Sequence, residues 1–382
     1  MLTKPFILGL EHTLPNSAWC DTNDLYQRVG HNTGNLAFHH AIRRQLQIKH
    51  AAVPWESSIE EISAAGDIAI VPCANQIGSH LDYGGLSKKF NKVRQPILAI
   101  GLGAQGGLDG IIPEVPAGSL DWLRAIAEHS DSSVKNISVR GPFTLEVLNH
   151  YGLADKAVVL GCPTLFINPD PKLGQKIEQR IRDPKKIAVT AGHQKWGHLA
   201  RIEASLARLV TTTNGSYIGQ SPLEMVMLTR GEAAKLDSQS ISDCRDYVLP
   251  EMDIPEFINW ANRFGNVFFD IPSWMEHYRR FDLVIGARIH GVMLAIQAGV
   301  PALCIAHDSR TLELCQVMKV PYVISKNVSG GLQRKDLLGL LKFDPEVFDS
   351  TRKELLAEYK KFLINNHLNV NLENILTINN NL

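Results

Sequence analysis

DLVIGARIHGVMLAIQAGVPALCIA, residues 282–306, reads as a single βαβ unit. Leu283 to Ala287 is a short apolar run of the kind that forms a strand covered on both faces. Gly291 to Gln297 carries good helix formers, Gly299 and Pro301 supply a stop, and Ala302 to Ala306 is a second apolar run. Strand, helix and returning strand make a crossover that is right-handed in nearly all proteins. Arg288 and His290 interrupt an otherwise apolar stretch between the first strand and its helix. A fixed cation and a titratable imidazole therefore sit at a strand's carboxyl end, where the next helix also points free amide groups and where anions bind. The alternative is that the pair merely caps the helix or meets a nearby carboxylate. Burying alternate polar residues in such a segment is costly without a purpose.

The device recurs at the next strand. Ala302 to Ala306 runs into His307, Asp308, Ser309, Arg310 and Thr311, then a helical run from Leu312 to Met318. Thr311 is expected to cap that helix, with Glu313 in its first turn. Two successive strand ends thus deliver Arg288, His290, His307, Asp308 and Arg310 to one sheet edge. Such a cluster suits an acidic substrate and proton transfer.

The chain has 382 residues, too many for one ordinary domain, and 45% of them are apolar, enough for two cores. Lys plus Arg and Asp plus Glu both total 39, so there is no electrostatic footprint for nucleic acid. No apolar run reaches the ~18 residues of a membrane span, and the start, MLTKPFILGLEHTLPNS, has one Lys and an apolar run too short for a signal peptide. The six cysteines show no CxxC spacing, and several lie in apolar runs where a thiol packs as a small hydrophobe. A reduced, cytoplasmic protein is expected.

Strands are expected at Phe6–Leu10, Ile68–Val71, Ile97–Gly101, Ile137–Val139, Ala157–Leu160, Ile187–Thr190, Ser216–Ile218 and Val267–Asp270, alternating with helices. Gly30-His31-Asn32-Thr33-Gly34-Asn35 precedes a helical run from Leu36 to Leu46 and reads first as a tight turn, although such a turn can hold a phosphate. Asn35, and Asn75 after the second strand, are candidate substrate donors. The loop from Gly101 to Gly107 does not match G-x-G-x-x-G, so no dinucleotide site is read there. Arg140 repeats in the first half the strand-end cation of Arg288; a surface or interdomain salt bridge is its alternative. Between 168 and 186 the chain turns polar, with three prolines and the charged stretch KIEQRIRDPKK, marking an exposed connection. The segmentation is residues 1–167, 187–340 and a C-terminal helix and tail at 341–382. Helical runs span Leu223 to Leu236, Ile254 to Phe264 and Glu346 to Leu363, and the Asn-rich end is expected to fray. The alternation argues for two parallel-sheet α/β domains facing across a cleft. No HExxH, P-loop, GxSxG, DxD or other metal-ligand spacing is present, and no cofactor is implied.

The stretch DLVIGARIHGVMLAIQAGVPALCIAHDSRTLELCQVMKVP resembles the polysaccharide pyruvyl transferases, which show Arg-x-His-Gly after a strand, an alanine-rich helix and Gly-x-Pro. HNTGNLAFHHAIRRQL, PILAIGLGAQG, ISVRGPFTLEVLNHYG and VVLGCPTLF match less specifically but in the family's order, covering most of residues 30–325. Many members have Asp-Pro where this chain has Cys162-Pro163, so no polar role transfers to Cys162. The resemblance implies two Rossmann-like domains in a glycosyltransferase-B arrangement. The first would hold a sugar or glycan acceptor and the second the donor, phosphoenolpyruvate, whose pyruvyl group becomes a ketal on two hydroxyls. A lipid-linked acceptor would add peripheral contact with a membrane. The donor's phosphate and carboxylate call for bidentate cations, and protonation of its enol carbon calls for an imidazole. On that basis Arg288 is the anion clamp, His290 the general acid/base, and Arg140, Arg310, Asp308 and His307 further substrate contacts. Two alternatives stand beside this reading. One is a metal-independent glycosyltransferase holding a nucleotide sugar's diphosphate on Arg288. The other is a non-catalytic carbohydrate-binding partner.

Overall fold

The computed structural model describes residues 3–368. Two all-parallel sheets form. The first contains β1 (Pro5–Ile7), β2 (Ile68–Pro72), β3 (Ile97–Leu102), β4 (Ile137–Val139) and β5 (Ala157–Val159) in the order β1-β2-β3-β4-β5. The second contains β6 (Ile187–Thr190), β7 (Ser216–Ile218), β8 (Gly265–Asn266), β9 (Leu283–Gly286), β10 (Ala302–Ala306) and β11 (Tyr322–Ile324) in the order β11-β10-β9-β6-β7-β8. The protein is therefore built from two parallel-sheet α/β domains.

The two strand orders have different consequences. In the first sheet every crossover steps the same way, so right-handed connections send their helices to one face. Ile62, Phe90, Trp122, Val147 and Leu148 of four successive connecting helices accordingly share one apolar cluster with Phe6, Ala69, Ile97 and Val139. The opposite face is covered by an additional helix of the long β1–β2 connection and by segments that follow β5. It packs against Leu36, Phe38 and Ile42 of the helix Asn35–Gln45, and against Leu165, Phe166, Tyr359 and Phe362. The same apolar cluster continues into the second domain through Val284, Val292, Ala302 and Leu314, so the domains share a core.

The second sheet winds outward from β6 to β8, then returns to place β9 on the other side of β6. Ligands of open α/β sheets bind at such a reversal, outside the carboxyl ends of the two flanking strands. Here those ends are Thr190 and Gly286. The strands approach so closely that a Cβ on Gly286, where φ is +156°, would lie 2.3 Å from Thr190 Oγ1 and 2.4 Å from its carbonyl oxygen. Only glycine fits.

Several elements differ from the sequence-based expectation. The strand expected at Val267–Asp270 is instead the two-residue β8. Phe269 gives its carbonyl to the Leu14 amide at 3.0 Å, and Asp270 caps the helix Ile271–Tyr278, so the chain has already left the sheet. The helical run from Leu223 ends at Thr229, with Gly231 at φ +80° turning the chain. A helix at Ser238–Val248, capped by Asp237, and the short strand β11 carried no legible periodicity. Residues 168–186 do leave one sheet and enter the other, but they are docked rather than free. Leu173 and Ile177 of the helix Leu173–Glu178 are buried in the shared core, and Arg180 donates to the Gly299, Arg279 and Phe281 carbonyls. The helix Pro345–Asn365 returns to the first domain. Its Arg352 is 1% exposed and donates to the carbonyls of Leu165, Asn168 and Asp170. The Asn-rich end beyond 368 lies outside the described residues.

Candidate functional site

Three arginines from three strand ends meet where the domains join. Arg140 leaves β4 fully buried, its Nε donating 2.9 Å to the Gly101 carbonyl and its Nη2 3.3 Å to that of Cys73. Its Nη1 has no protein partner. Arg288 follows β9 as the cap residue of the helix Ile289–Gln297. It lies 4.7 Å over the Trp196 ring and donates 3.2 Å to the Ser221 carbonyl, while its buried Nε is unpartnered. Arg310 follows β10, pairs with Asp308 at 3.2 Å, and also leaves a buried Nε unpartnered. Burial, then the positive charge of Arg310, holds Arg288 down at about 10. Arg140 stands at about 10 as well, through burial against the partial support of Cys162 and with Arg310 again opposing. Arg310 is thus the shared neighbour of the other two. A site that concentrates guanidinium charge, buries it, and leaves N–H groups orphaned forms a cradle whose chemistry suits an anion.

His290 lies against this cradle at 7% exposure. The Phe38 ring, from the other domain, packs 5.2 Å from its centroid, and Cys162 Sγ is 3.8 Å from Nε2. Burial, then Arg140 and Arg310, pushes its pKa well below the ordinary imidazole value, which favours the neutral ring. His307 is held at about 4, chiefly by burial, with Asp308 working the other way. Its Nε2 is unpartnered, and its ring meets Trp196 at 4.4 Å. Asp308 rather than Thr311 caps the helix Ser309–Met318, because its carboxylate accepts the Thr311 amide at 2.7 Å. Burial would raise that carboxyl, but Arg310, His307 and the Thr311 bonds keep it at about 2. Thr311 therefore stands inside the helix, with its own hydroxyl buried.

The two asparagines end up in different places. Asn75 Nδ2 donates 2.8 Å to Gln105 Oε1 and lies 3.5 Å from the His80 ring, whose pKa is lowered by burial and, less strongly, by Arg310. Asn75 is therefore on the rim of the cradle. Asn35 donates to the Val29 and Gly30 carbonyls at 2.9 and 3.1 Å, closing the turn before its helix.

The structure adds residues that carried no motif. Glu313 reaches across the junction to accept from the Thr144 amide at 3.0 Å and hydroxyl at 2.5 Å, capping the helix Pro142–His150 of the first domain. Trp196 comes from the loop after β6, a stretch that only the strand order marks as the reversal point. Gln220, at the end of β7, is fully buried with neither side-chain atom partnered. It presses so close to the Gly34 turn that a Cβ there would lie 2.6 Å from its Oε1 and 3.4 Å from His290 Cβ. The Thr33 and Thr190 hydroxyls, also buried and unpartnered, lie on the neighbouring segments. Among the described residues no group of three or more His, Cys, Asp or Glu is placed to hold a metal, and no helix is long and apolar enough to cross a membrane.

The family model described as polysaccharide pyruvyl transferase matches residues 32–309. Among curated proteins none matches this chain. Among solved structures, the chain is similar to an S. aureus MnaA–UDP complex, with 11% identity, a TM-score of 0.44, and coverage of 95% of this chain and 97% of that one. It is also similar to the UDP-N-acetylglucosamine 2-epimerase from Rickettsia bellii, with 13% identity, a TM-score of 0.41, and coverage of 95% and 98%. The glycosyltransferase SnogD from Streptomyces nogalater gives 12% identity, a TM-score of 0.30, and coverage of 90% and 81%.

Proposed function

Because the chain belongs to the polysaccharide pyruvyl transferase family, we propose that it transfers the pyruvyl group of phosphoenolpyruvate to two hydroxyls of a sugar acceptor in cell-surface or exopolysaccharide synthesis, acting in the cytoplasm. The observation that carries this reading is the set of orphaned guanidinium N–H groups on Arg140, Arg288 and Arg310 beside a neutral, buried His290. A donor with both phosphate and carboxylate supplies the acceptors that these groups lack, and Arg offers each a planar fork.

The chemistry then follows from charge. Burial and the neighbouring guanidinium groups disfavour a proton on His290. An arriving polyanion cancels that repulsion, so donor binding lets the imidazole take up a proton. His290 delivers it to C3 of the enol, turning the methylene into a methyl and leaving C2 electron-poor. One acceptor hydroxyl adds to C2 and gives its proton back to the imidazole. The imidazolium returns that proton to the phosphate as the C2–O bond to it breaks, and the second hydroxyl closes the ketal at C2, its own proton passing to the imidazole. Two C–O bonds form and one breaks, and the guanidinium cluster holds the leaving phosphate throughout.

Incubation with phosphoenolpyruvate and a panel of glycan acceptors tests this directly. The expected result is acceptor-dependent phosphate release matched by an acidic product of the ketal's mass. A neutral, glycosylated product formed from a nucleotide sugar, with phosphoenolpyruvate untouched, would replace this reading with glycosyl transfer.

A further inference from the structure

Cys162 stands just past the carboxyl end of β5 and meets the ring of His290 across the domain junction. Its backbone has little freedom. Gly161 turns the chain at φ +73°, and Pro163 opens the short 3-10 turn Pro163–Phe166 directly after it. The Leu160 and Gly161 amides both donate to the Val139 carbonyl, and Gln45 donates 2.8 Å to the carbonyl of Pro163. The sulfur is thereby delivered to a fixed point, 1% exposed and 3.8 Å from His290 Nε2, within reach for an acceptor as large as sulfur. Phe38, also from the first domain, covers the ring at 5.2 Å. The other ring nitrogen, Nδ1, has no partner among the described residues and is not fully covered. Nε2 therefore faces protein, while Nδ1 keeps access to the cleft.

We propose that Cys162 is a positioning residue for His290: its sulfur accepts the Nε2 hydrogen, fixes the ring's tautomer and rotation, and makes Nδ1 the nitrogen that exchanges a proton with the substrate. Which imidazole nitrogen works is set by the hydrogen bond that the other one makes. With Nε2–H pointing at sulfur, the neutral ring turns the lone pair of Nδ1 to the cleft, ready for a proton when the donor binds. The imidazolium gives that proton to C3 of the enol. The electron pair left on Nδ1 then accepts the proton of the attacking hydroxyl. Nε2 keeps its hydrogen throughout, and no bond to sulfur forms or breaks. The opposite polarity, an S–H donating to Nε2, would place the hydrogen on Nδ1 and leave no lone pair facing the substrate. The second domain thus carries the acid/base, and the first domain aims it. Sulfur is a weak acceptor, so it orients the ring while burial and the two guanidinium groups still govern its charge.

This inference rests on the pyruvyl-transfer reading for what the proton does, and the test separates the two. Nitrogen NMR of the full chain labelled in its imidazole rings, with His290→Asn identifying the signal, reports which nitrogen carries hydrogen without any substrate. The wild type is expected to hold the Nε2–H tautomer, Cys162→Ala to lose that preference, and Cys162→Ser, which keeps an acceptor, to retain it. In the transfer assay Cys162→Ala should lower kcat about five- to tenfold, the equivalent of one ordinary hydrogen bond. The KM for phosphoenolpyruvate should stay nearly constant, and Cys162→Ser should recover part of the loss. In a His290→Asn background Cys162→Ala should cost nothing further, because the two residues act as one unit. An Nδ1–H tautomer in the wild type, the same tautomer in wild type and Cys162→Ala, or an equal kcat loss in both backgrounds would overturn the role. The wild-type tautomer decides even if Cys162→Ala fails to fold. If the tautomers behave as expected but no acceptor takes pyruvate from phosphoenolpyruvate, the transfer reading falls and the Cys162–His290 pairing stands. If transfer proceeds and Cys162→Ala keeps the wild-type kcat, the positioning role falls and the transfer reading stands.

Discussion

Arg288 and His290 are two residues apart, yet the proposed reaction gives them separable jobs. Arg288 presents an orphaned Nε beside the Trp196 ring, and in the proposed reaction it would hold an anion already present in the donor. Arg288→Lys keeps a charge but loses the planar fork. The KM for phosphoenolpyruvate should rise about tenfold to a hundredfold, the equivalent of one charge-assisted hydrogen bond. His290 touches Phe38 and Cys162, and in the proposed reaction it would act through its proton. His290→Asn should lower kcat by roughly 10²–10⁴ while donor affinity changes far less. The depressed pKa of the free imidazole adds a sharper readout. Calorimetry of donor binding in buffers of different ionisation enthalpy should show proton uptake near neutral pH in the wild type and a loss of that uptake in His290→Asn. Equal uptake in both proteins would move the proton to another group.

Among the elements, β6 and β9 set the position of everything else in the cradle. Gly286 lets the two strands touch at the point where the sheet reverses, and Arg288 starts two residues later. Gly286→Ala places a methyl group against Thr190 backbone, which cannot rotate away. Overpacking of this kind costs about 1–3 kcal/mol, and denaturant unfolding should register it as a lower midpoint with an unchanged slope. Activity should fall as well, because the shift needed to admit the methyl displaces Arg288. A variant with wild-type stability would show that the strands can part. The βαβ unit at this position was legible because its strands are continuous apolar runs and its helix is closed by Gly299. The helix Ser238–Val248 was not, since its sequence SQSISDCRDYV mixes polar residues on every turn and leaves only Ile241, Cys244, Tyr247 and Val248 buried. That helix supplies one wall of a pocket beside the loop that carries Trp196.

Across the molecule, burial keeps an unusual number of imidazoles neutral. His39 is held at about 3, and His40, His193, His277 and His307 at about 4, in each case first through desolvation. The ordinary value is about 6.5, so between pH ~6.5 and ~4 the unfolded chain binds more protons than the folded one. Stability must then rise with pH across that window and be lost as pH falls through it. Glu203 and Glu313, whose pKa values burial raises, oppose this at its lower end. The thermal midpoint should therefore decline from pH 7 to pH 5, before most carboxylates titrate. The decline should be shallower in His39→Gln, whose side chain cannot gain the proton in the unfolded state. A midpoint flat over that range would mean that these rings are protonated in the fold.

The amino-acid sequence alone determined the class of the protein: alternating apolar strands and helices in two halves, a βαβ unit with Arg288 and His290 at its turn, and a resemblance carried by those same residues. Periodicity and turn chemistry are local, and a strand end followed by a helix start fixes where its polar residues emerge. What the tertiary structure decided was which ends meet. Strand order cannot be read from a list of strands, so the reversal between β6 and β9, and with it Trp196, was invisible until the sheet was assembled. The same holds for Arg140 and Arg310 becoming neighbours, for Glu313 capping a helix of the other domain, and for Asn75 at the rim while Asn35 closes a turn. The free energy that selects these meetings is burial of apolar surface shared between the two domains, a property of the packed whole that no single segment contains.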